Sequence, residues 1–265
     1  MEYIDQQSLV LASLLICLGI MVIAFMAAVR LNFYSLVDVV WAYLFSIIAG
    51  VYVFLPEGWA PRRWVLIGTV TFWSFRLGTH LLTRLAKHYP VEDGRYSDLR
   101  AKWAKNLKLN FFLFFLFQGL SVVILALPFL VVALNNEPEF SGLEFCGLLV
   151  WLVGVVGESA ADLQLQVFRG DEKNRGQVCD VGLWRYSRHP NYFFELVIWV
   201  GYALFALPAP NGFLGLASPM LMAYLLIRVT GVPYAEASSL KSRGEKYLAY
   251  QKRVSVLIPW WPKKS

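Results

Sequence analysis

Residues 182–195 read Gly-Leu-Trp-Arg-Tyr-Ser-Arg-His-Pro-Asn-Tyr-Phe-Phe-Glu, which sets guanidinium, imidazole, amide and carboxylate groups among aromatic rings between two apolar stretches. At the edge of a bilayer such groups are costly unless they face a cavity, a partner or a ligand. Grip on lipid headgroups accounts for Trp184, Arg185, Tyr186 and Arg188. It does not account for Asn191 and Glu195, which stand at i and i+4. A second stripe precedes this cluster: Glu158, Asp162, Leu165 and Arg169 lie at i, i+4, i+7 and i+11, within one narrow sector of a helix with 3.6 residues per turn. The competing reading of that stripe is a self-satisfied network between Asp162 and Arg169. Arg76, His80 and Arg84 form a shorter row at i, i+4 and i+8. Type and spacing identify no catalytic residue; Arg76 and His80 are the candidates this row offers, and a histidine packed in a polar core is an equal reading of His80.

If the stripes and the cluster converge, the chemistry they suit is nucleotide binding. Arg84, Arg95, Arg169, Arg185 and Arg188 can neutralise a polyanionic head, because guanidinium forks match phosphate oxygens. Glu158, Asp162, Asn191 and Glu195 can serve sugar hydroxyls and a carboxamide, while Trp184, Tyr186 and Tyr192 offer flat faces to a heteroaromatic ring. Phosphates, sugar hydroxyls and a heteroaromatic ring together describe a nucleotide cofactor. No Gly-x-Gly-x-x-Gly or Walker loop is present, so the site is not of the Rossmann or P-loop kind. Cys17, Cys146 and Cys179 are isolated, with no Cys-x-x-Cys pair and no histidine at metal spacing. They point to neither a disulfide framework nor a metal site, and buried apolar thiols are expected.

The elements that must position these residues are membrane helices. The chain is 58% hydrophobic and 16% charged, with its apolar residues in long runs. A span needs ~20 apolar residues, and about seven segments qualify: 8–29, 36–55, 65–82, 111–134, 143–165, 193–207 and 213–232. The expected fold is therefore an all-α, polytopic membrane protein with a single domain over residues 1–265. Glu2 and Asp5 precede a run long enough to span, so the first segment reads as a retained helix rather than a signal peptide. Lys and Arg concentrate in 84–108, 169–188 and 241–264, whereas 135–142 carries Glu137 and Glu139 without a basic residue. The positive-inside rule then puts the C-terminus and the cofactor mouth in the cytosol, with Arg62 and Arg63 as a dissenting pair. The net charge of +6 reflects this topology, and no basic face interleaved with polar readers suggests nucleic acid. Asp93-Gly94 marks a turn in a structured loop, the residues after Pro233 suit a short amphipathic helix at the interface, and Trp260 and Trp261 are headgroup anchors.

At residues 183–192 followed by Glu195 the chain resembles the C-terminal signature of the steroid 5-alpha-reductase superfamily, in the bacterial branch filed as domain of unknown function 1295; similar Arg-His-Pro-Asn-Tyr elements occur in sterol C14-reductases. Glu158, Asp162 and Arg169 match the spacing of that family's Asn, Asp and Arg, Gly94-Arg95 resembles its Gly-Arg loop, and Leu257-Ile258-Pro259 its ending. The resemblance implies a seven-helix membrane fold that binds NADPH from the cytosol and reduces a carbon-carbon double bond conjugated to a carbonyl in a lipid. It implies a cofactor set of Arg95, Glu158, Asp162, Arg169, Trp184, Tyr186, Arg188, His189, Asn191, Tyr192, Glu195 and Tyr250. The family's substrate-holding Tyr is not reproduced, since Trp73 stands there; Glu158 replaces an Asn, and Ser239 and Arg243 stand about where a His and a Tyr would fall. Cofactor binding therefore transfers better than substrate identity.

The expectation is an NADPH-dependent reductase of an enone or sterol-like lipid in the bacterial inner membrane, with no obligate protein partner. The alternative from another reaction class is an isoprenylcysteine-type methyltransferase using S-adenosylmethionine, whose motif also contains Arg-His-Pro followed by Tyr. Such enzymes usually add a paired Glu-Glu near the end, and Glu236 here is single. A polytopic scaffold or lipid-binding protein is the third, non-enzymatic reading.

Overall fold

The computed structural model describes residues 6–55 and 58–263, so Glu2, Asp5 and Lys264 lie outside the described residues. The helices are α1 (Gln6–Leu31), α2 (Leu36–Phe54), α3 (Ala60–His88), α4 (Gly94–Lys102), α5 (Leu107–Leu125), α6 (Leu127–Ala133), α7 (Gly142–Gly170), α8 (Pro190–Ala206), α9 (Ala217–Tyr224), α10 (Val232–Arg243) and α11 (Glu245–Arg253). No strand occurs among the described residues, where one isolated bridge joins Ser187 and Ser255. Five helical stretches are long and apolar enough to cross a membrane: Gln6–Leu31, Leu36–Phe54, Ala104–Ala133, Gly142–Gly170 and Gly212–Arg243. The other two expected segments are also helical. Arginine, histidine and threonine dilute the 29 residues of α3, and α8 has only 17. The protein is all-α and polytopic.

Proline decides where the apolar runs break. The expected helix over 111–134 is interrupted between α5 and α6, because Pro128 has no N–H and its ring crowds the carbonyl four residues back. The segment over 213–232 is likewise not one helix: α9 is followed by a π-turn at Leu225–Val229, closed by Thr230 N–H donating to Leu225 O at 2.7 Å. Pro233 cannot donate to the Val229 carbonyl, which favours the wider turn. The expected amphipathic helix after Pro233 is a pair, α10 and α11, separated at Gly244.

Helix contacts divide the chain into two compact units, Met1–Ser141 with Ala206–Ala217 and Gly142–Phe205 with Ser218–Ser265. In the first unit α2 packs on α3 and α1 on α5. Serine hydroxyls serve each other inside the α2–α3 seam: Ser46 Oγ donates to Ser74 Oγ and Ser74 Oγ to Ala42 O, both at 2.7 Å. Arg62, 1% exposed, donates to the carbonyls of Asn135 (3.2 Å), Glu137 (2.7 Å) and Glu139 (2.6 Å) and stacks over Trp59. Arg63 donates to Val53 O at 2.7 Å. This pair dissents from the positive-inside count, and its guanidinium groups serve backbone carbonyls of the 135–139 turn and of the end of α2.

In the second unit α7 and α8 approach closely over small residues. A Cβ on Gly154 would lie 2.6 Å from Ile198 Cγ1, and one on Gly201 would lie 2.6 Å from the Trp151 nitrogen. Only glycine permits this spacing, as in other tight helix pairs in membranes. Cys17 and Cys179 are buried as expected, but Cys146 is exposed on α7, because its position falls on the outward face of that helix.

Candidate functional site

The glycine-mediated contact between α7 and α8 sets the register that joins the two sequence stripes. Beyond it, Asn191 in the first turn of α8 meets Asp162, its Nδ2 lying 3.4 Å from Asp162 Oδ1. The carbonyl oxygen of the same amide is buried and has no hydrogen-bond partner among the described residues. A buried unsatisfied acceptor is uncommon and calls for an explanation, a ligand donor being one. Along α7 the stripe grades from Glu158, 4% exposed, through half-buried Asp162 to exposed Arg169. Glu195, one turn into α8 from Asn191, is buried and accepts from Trp199 Nε1 at 2.9 Å.

Next to this pair stands a charge hub that the sequence reading did not foresee. Glu236 on α10 accepts from Arg188 Nε at 2.7 Å, His189 Nε2 at 3.0 Å and Tyr247 O–H at 3.1 Å on one oxygen, and from Gln251 on the other. Four donors on one carboxylate suit its ionised, acceptor-only form and require the proton of His189 on Nε2. Arg188 Nη1 also donates to the carbonyls of Gln251 and Val254, each at 2.9 Å. Tyr192 stacks on the His189 ring at 5.3 Å and 9°. The sequence marked Glu236 only as one of two carboxylates, with Glu245, among the basic and aromatic residues that follow Pro233, and as single where methyltransferases carry a Glu-Glu pair.

The segment from 182 to 189 is held from below and from the tail. Leu183 N–H donates to Gln164 Oε1 at 2.8 Å and Trp184 Nε1 to Ala161 O at 2.9 Å, both on α7. From α11, the Tyr250 hydroxyl donates to the carbonyls of Trp184 and Ser187. Burial pushes the phenols of Tyr247 and Tyr250 up, so both stay neutral donors. Ser187 Oγ donates to Leu257 O at 2.7 Å, and Tyr186 meets Trp261 edge-on at 5.3 Å. Trp184, expected as a ligand platform, is 8% exposed with its indole N–H donating to α7, and Tyr250 is 3% exposed.

The first unit holds Arg76, His80, Arg84 and Arg95. Arg95 pairs with Asp38 and donates to the Tyr96 hydroxyl at 2.7 Å, while Tyr96 O–H donates to Asp38 Oδ1 at 2.8 Å. Burial opposes the Arg95 charge, but Asp38 and Tyr96 outweigh it and raise its affinity for the proton. Arg84 pairs with Asp93 at 2.7 Å, whose side chain also caps α4. Arg76 and His80 are both half-buried on α3. Among the described residues no group of three His, Cys, Asp or Glu side chains assembles that could hold a metal.

Fold and site together define a polytopic helical membrane protein with a polar cluster built between a close helix pair and a C-terminal helical hairpin. The profile of a family described as protein of unknown function (DUF1295) matches residues 24–254, and the chain belongs to that family. It is also similar to an uncharacterized protein of Schizosaccharomyces pombe, 27% identical over 205 residues that cover 68% of this chain. The matched region spans 59% of that protein's length. No solved structure matches the chain.

Proposed function

We propose that this protein is an NADPH-dependent membrane oxidoreductase that reduces an activated carbon-carbon double bond in an apolar, lipid-like molecule. The observation that carries the reading is the buried, partnerless Oδ1 of Asn191 beside Asp162. An acceptor of that kind fits the amino group of a carboxamide, and Asp162 adds a second acceptor for an amide or sugar hydroxyl. The resemblance of residues 183–195 to steroid 5-alpha-reductases supports the same assignment. When bound, NADPH supplies the hydride.

The residues of this chain then bind and orient. Asn191 fixes which face of the nicotinamide is presented, and Glu195, held by Trp199, stiffens the turn that carries it. Exposed Arg169 is the phosphate partner in the second unit. Arg188 and His189 are locked on Glu236, so the Arg-His-Pro segment enters α8 in one conformation. The basic stretches 84–108, 169–188 and 241–264 support a cytosolic mouth.

The test uses full-length protein in lipid nanodiscs, titrated with NADPH, NADH and S-adenosylmethionine and analysed by mass spectrometry for retained nucleotide. Saturable binding of NADPH, tighter than NADH, with oxidation on adding an enone lipid is the expected outcome. Retention of S-adenosylmethionine alone would turn the assignment to methyl transfer. Binding of none of the three would leave a lipid-binding or scaffold role.

A further inference from the structure

We propose that the groove between the C-terminal tail and Arg188 binds the phosphate-bearing headgroup of an anionic membrane lipid. The groove has a volume of about 450 Å³ and is lined by Arg188, Gln251, Lys252, Trp260, Trp261 and Lys263, among others. No carboxylate lines it among the described residues. Of the arginines there, Arg188 in the lining is neutralised by Glu236 and nearby Arg253 by Asp180. Lys252 and Lys263 have no ion-pair partner among the described residues, so the groove carries two uncompensated cations.

The tail that forms the groove is built in place. Trp260 N–H donates to Tyr186 O at 2.9 Å, Lys263 N–H to Arg253 O at 3.0 Å, and Arg188 N–H to Ser255 O at 2.8 Å. Leu257 is buried at 8%, yet Ile258 is 64% exposed, Trp260 70% and Trp261 74%. Backbone hydrogen bonds that fix a segment while leaving two indoles and an isoleucine uncovered suit a surface that meets the acyl boundary of a bilayer. Ammonium groups beside those indoles would then sit at phosphate depth, where basic residues attract anionic lipid. A free phosphate or a nucleotide would use the cations but would leave the exposed indoles and Ile258 in water. That difference favours the lipid. Arg188 lines the groove and belongs to the candidate cofactor set, but its charge is paired with Glu236, and the two lysines that carry the proposal lie outside that set.

The experiment compares full-length protein with the Lys252→Ala/Lys263→Ala and Lys252→Arg/Lys263→Arg double variants, delipidated and titrated with phosphatidylglycerol or phosphatidylcholine. Tryptophan fluorescence and native mass spectrometry read binding. The wild type and the arginine variant are expected to prefer phosphatidylglycerol, and the alanine variant to lose about 30-fold in affinity for it, from two basic groups near an anionic surface. NADPH affinity, measured in parallel, should not change. Equal binding of the two lipids by the wild type would overturn the proposal. So would an alanine variant that keeps its phosphatidylglycerol affinity while losing NADPH, since the groove would then serve the nucleotide.

Discussion

Asn191 and Glu195 share one face of the start of α8, yet they meet different fates. Asn191 keeps an unsatisfied buried acceptor, whereas Glu195 accepts from Trp199 at 2.9 Å. Asn191→Ala is therefore predicted to lower single-turnover oxidation of NADPH far more than nucleotide affinity, because orientation acts on the transition state and phosphate contacts supply ground-state binding. Glu195→Gln should keep the bond to Trp199 and reduce turnover less. Equal turnover in Asn191→Ala and wild type would mean that the amide only packs the helix terminus. Glu236 is a different kind of residue: removing it leaves Arg188, His189 and two further donors without their shared acceptor. Glu236→Ala should lower the unfolding midpoint in detergent, by a free energy of about 2–3 kcal/mol for charged hydrogen bonds lost at a half-buried site.

At the scale of elements, the seam between α7 and α8 sets the site. Gly154→Leu forces a side chain into a gap where even a Cβ would be 2.6 Å from Ile198, and overpacking of that kind costs about 1–3 kcal/mol. The variant should bind NADPH weakly although every candidate ligand residue is intact; nucleotide titration at a temperature where the fold persists checks this. Arg95 gives the opposite contrast. Its pairing with Asp38 and Tyr96 ties α4 to the start of α2, so Arg95→Ala leaves a carboxylate without its cation. Thermal unfolding and the NADPH/NADH affinity ratio, measured on the same variant, separate a structural tie from a phosphate contact. A fall in stability with an unchanged ratio is expected.

At the scale of the whole molecule, cofactor choice and sidedness are linked through the basic residues. Arg169→Ala is predicted to weaken NADPH by ~1.5–3 kcal/mol and to narrow the preference over NADH, as one charge-assisted phosphate contact is lost. Equal affinities for both nucleotides in wild type and variant would remove Arg169 from that role. The same basic surface predicts that a C-terminal reporter fusion is cytosolic.

Composition and run length sufficed for the membrane class and the helix positions, because an apolar span of sufficient length is a local property of the chain. The i, i+4 spacings likewise marked Asp162, Arg169, Asn191 and Glu195 as residues with shared faces on their own helices. Tertiary structure alone decided which of these faces meet. Asp162 opposes Asn191 because of the glycine contacts between α7 and α8, and periodicity within one helix carries no information on register against another. Glu236 joins Arg188 and His189 across 48 and 47 positions of sequence, through the turn at Gly244 that brings α11 beside α10. The fate of each arginine was equally beyond the sequence. Arg62 donates to carbonyls of the 135–139 turn, Arg95 pairs with Asp38 and Arg188 with Glu236, since a charge buried in an apolar medium takes whichever acceptor the fold brings within reach.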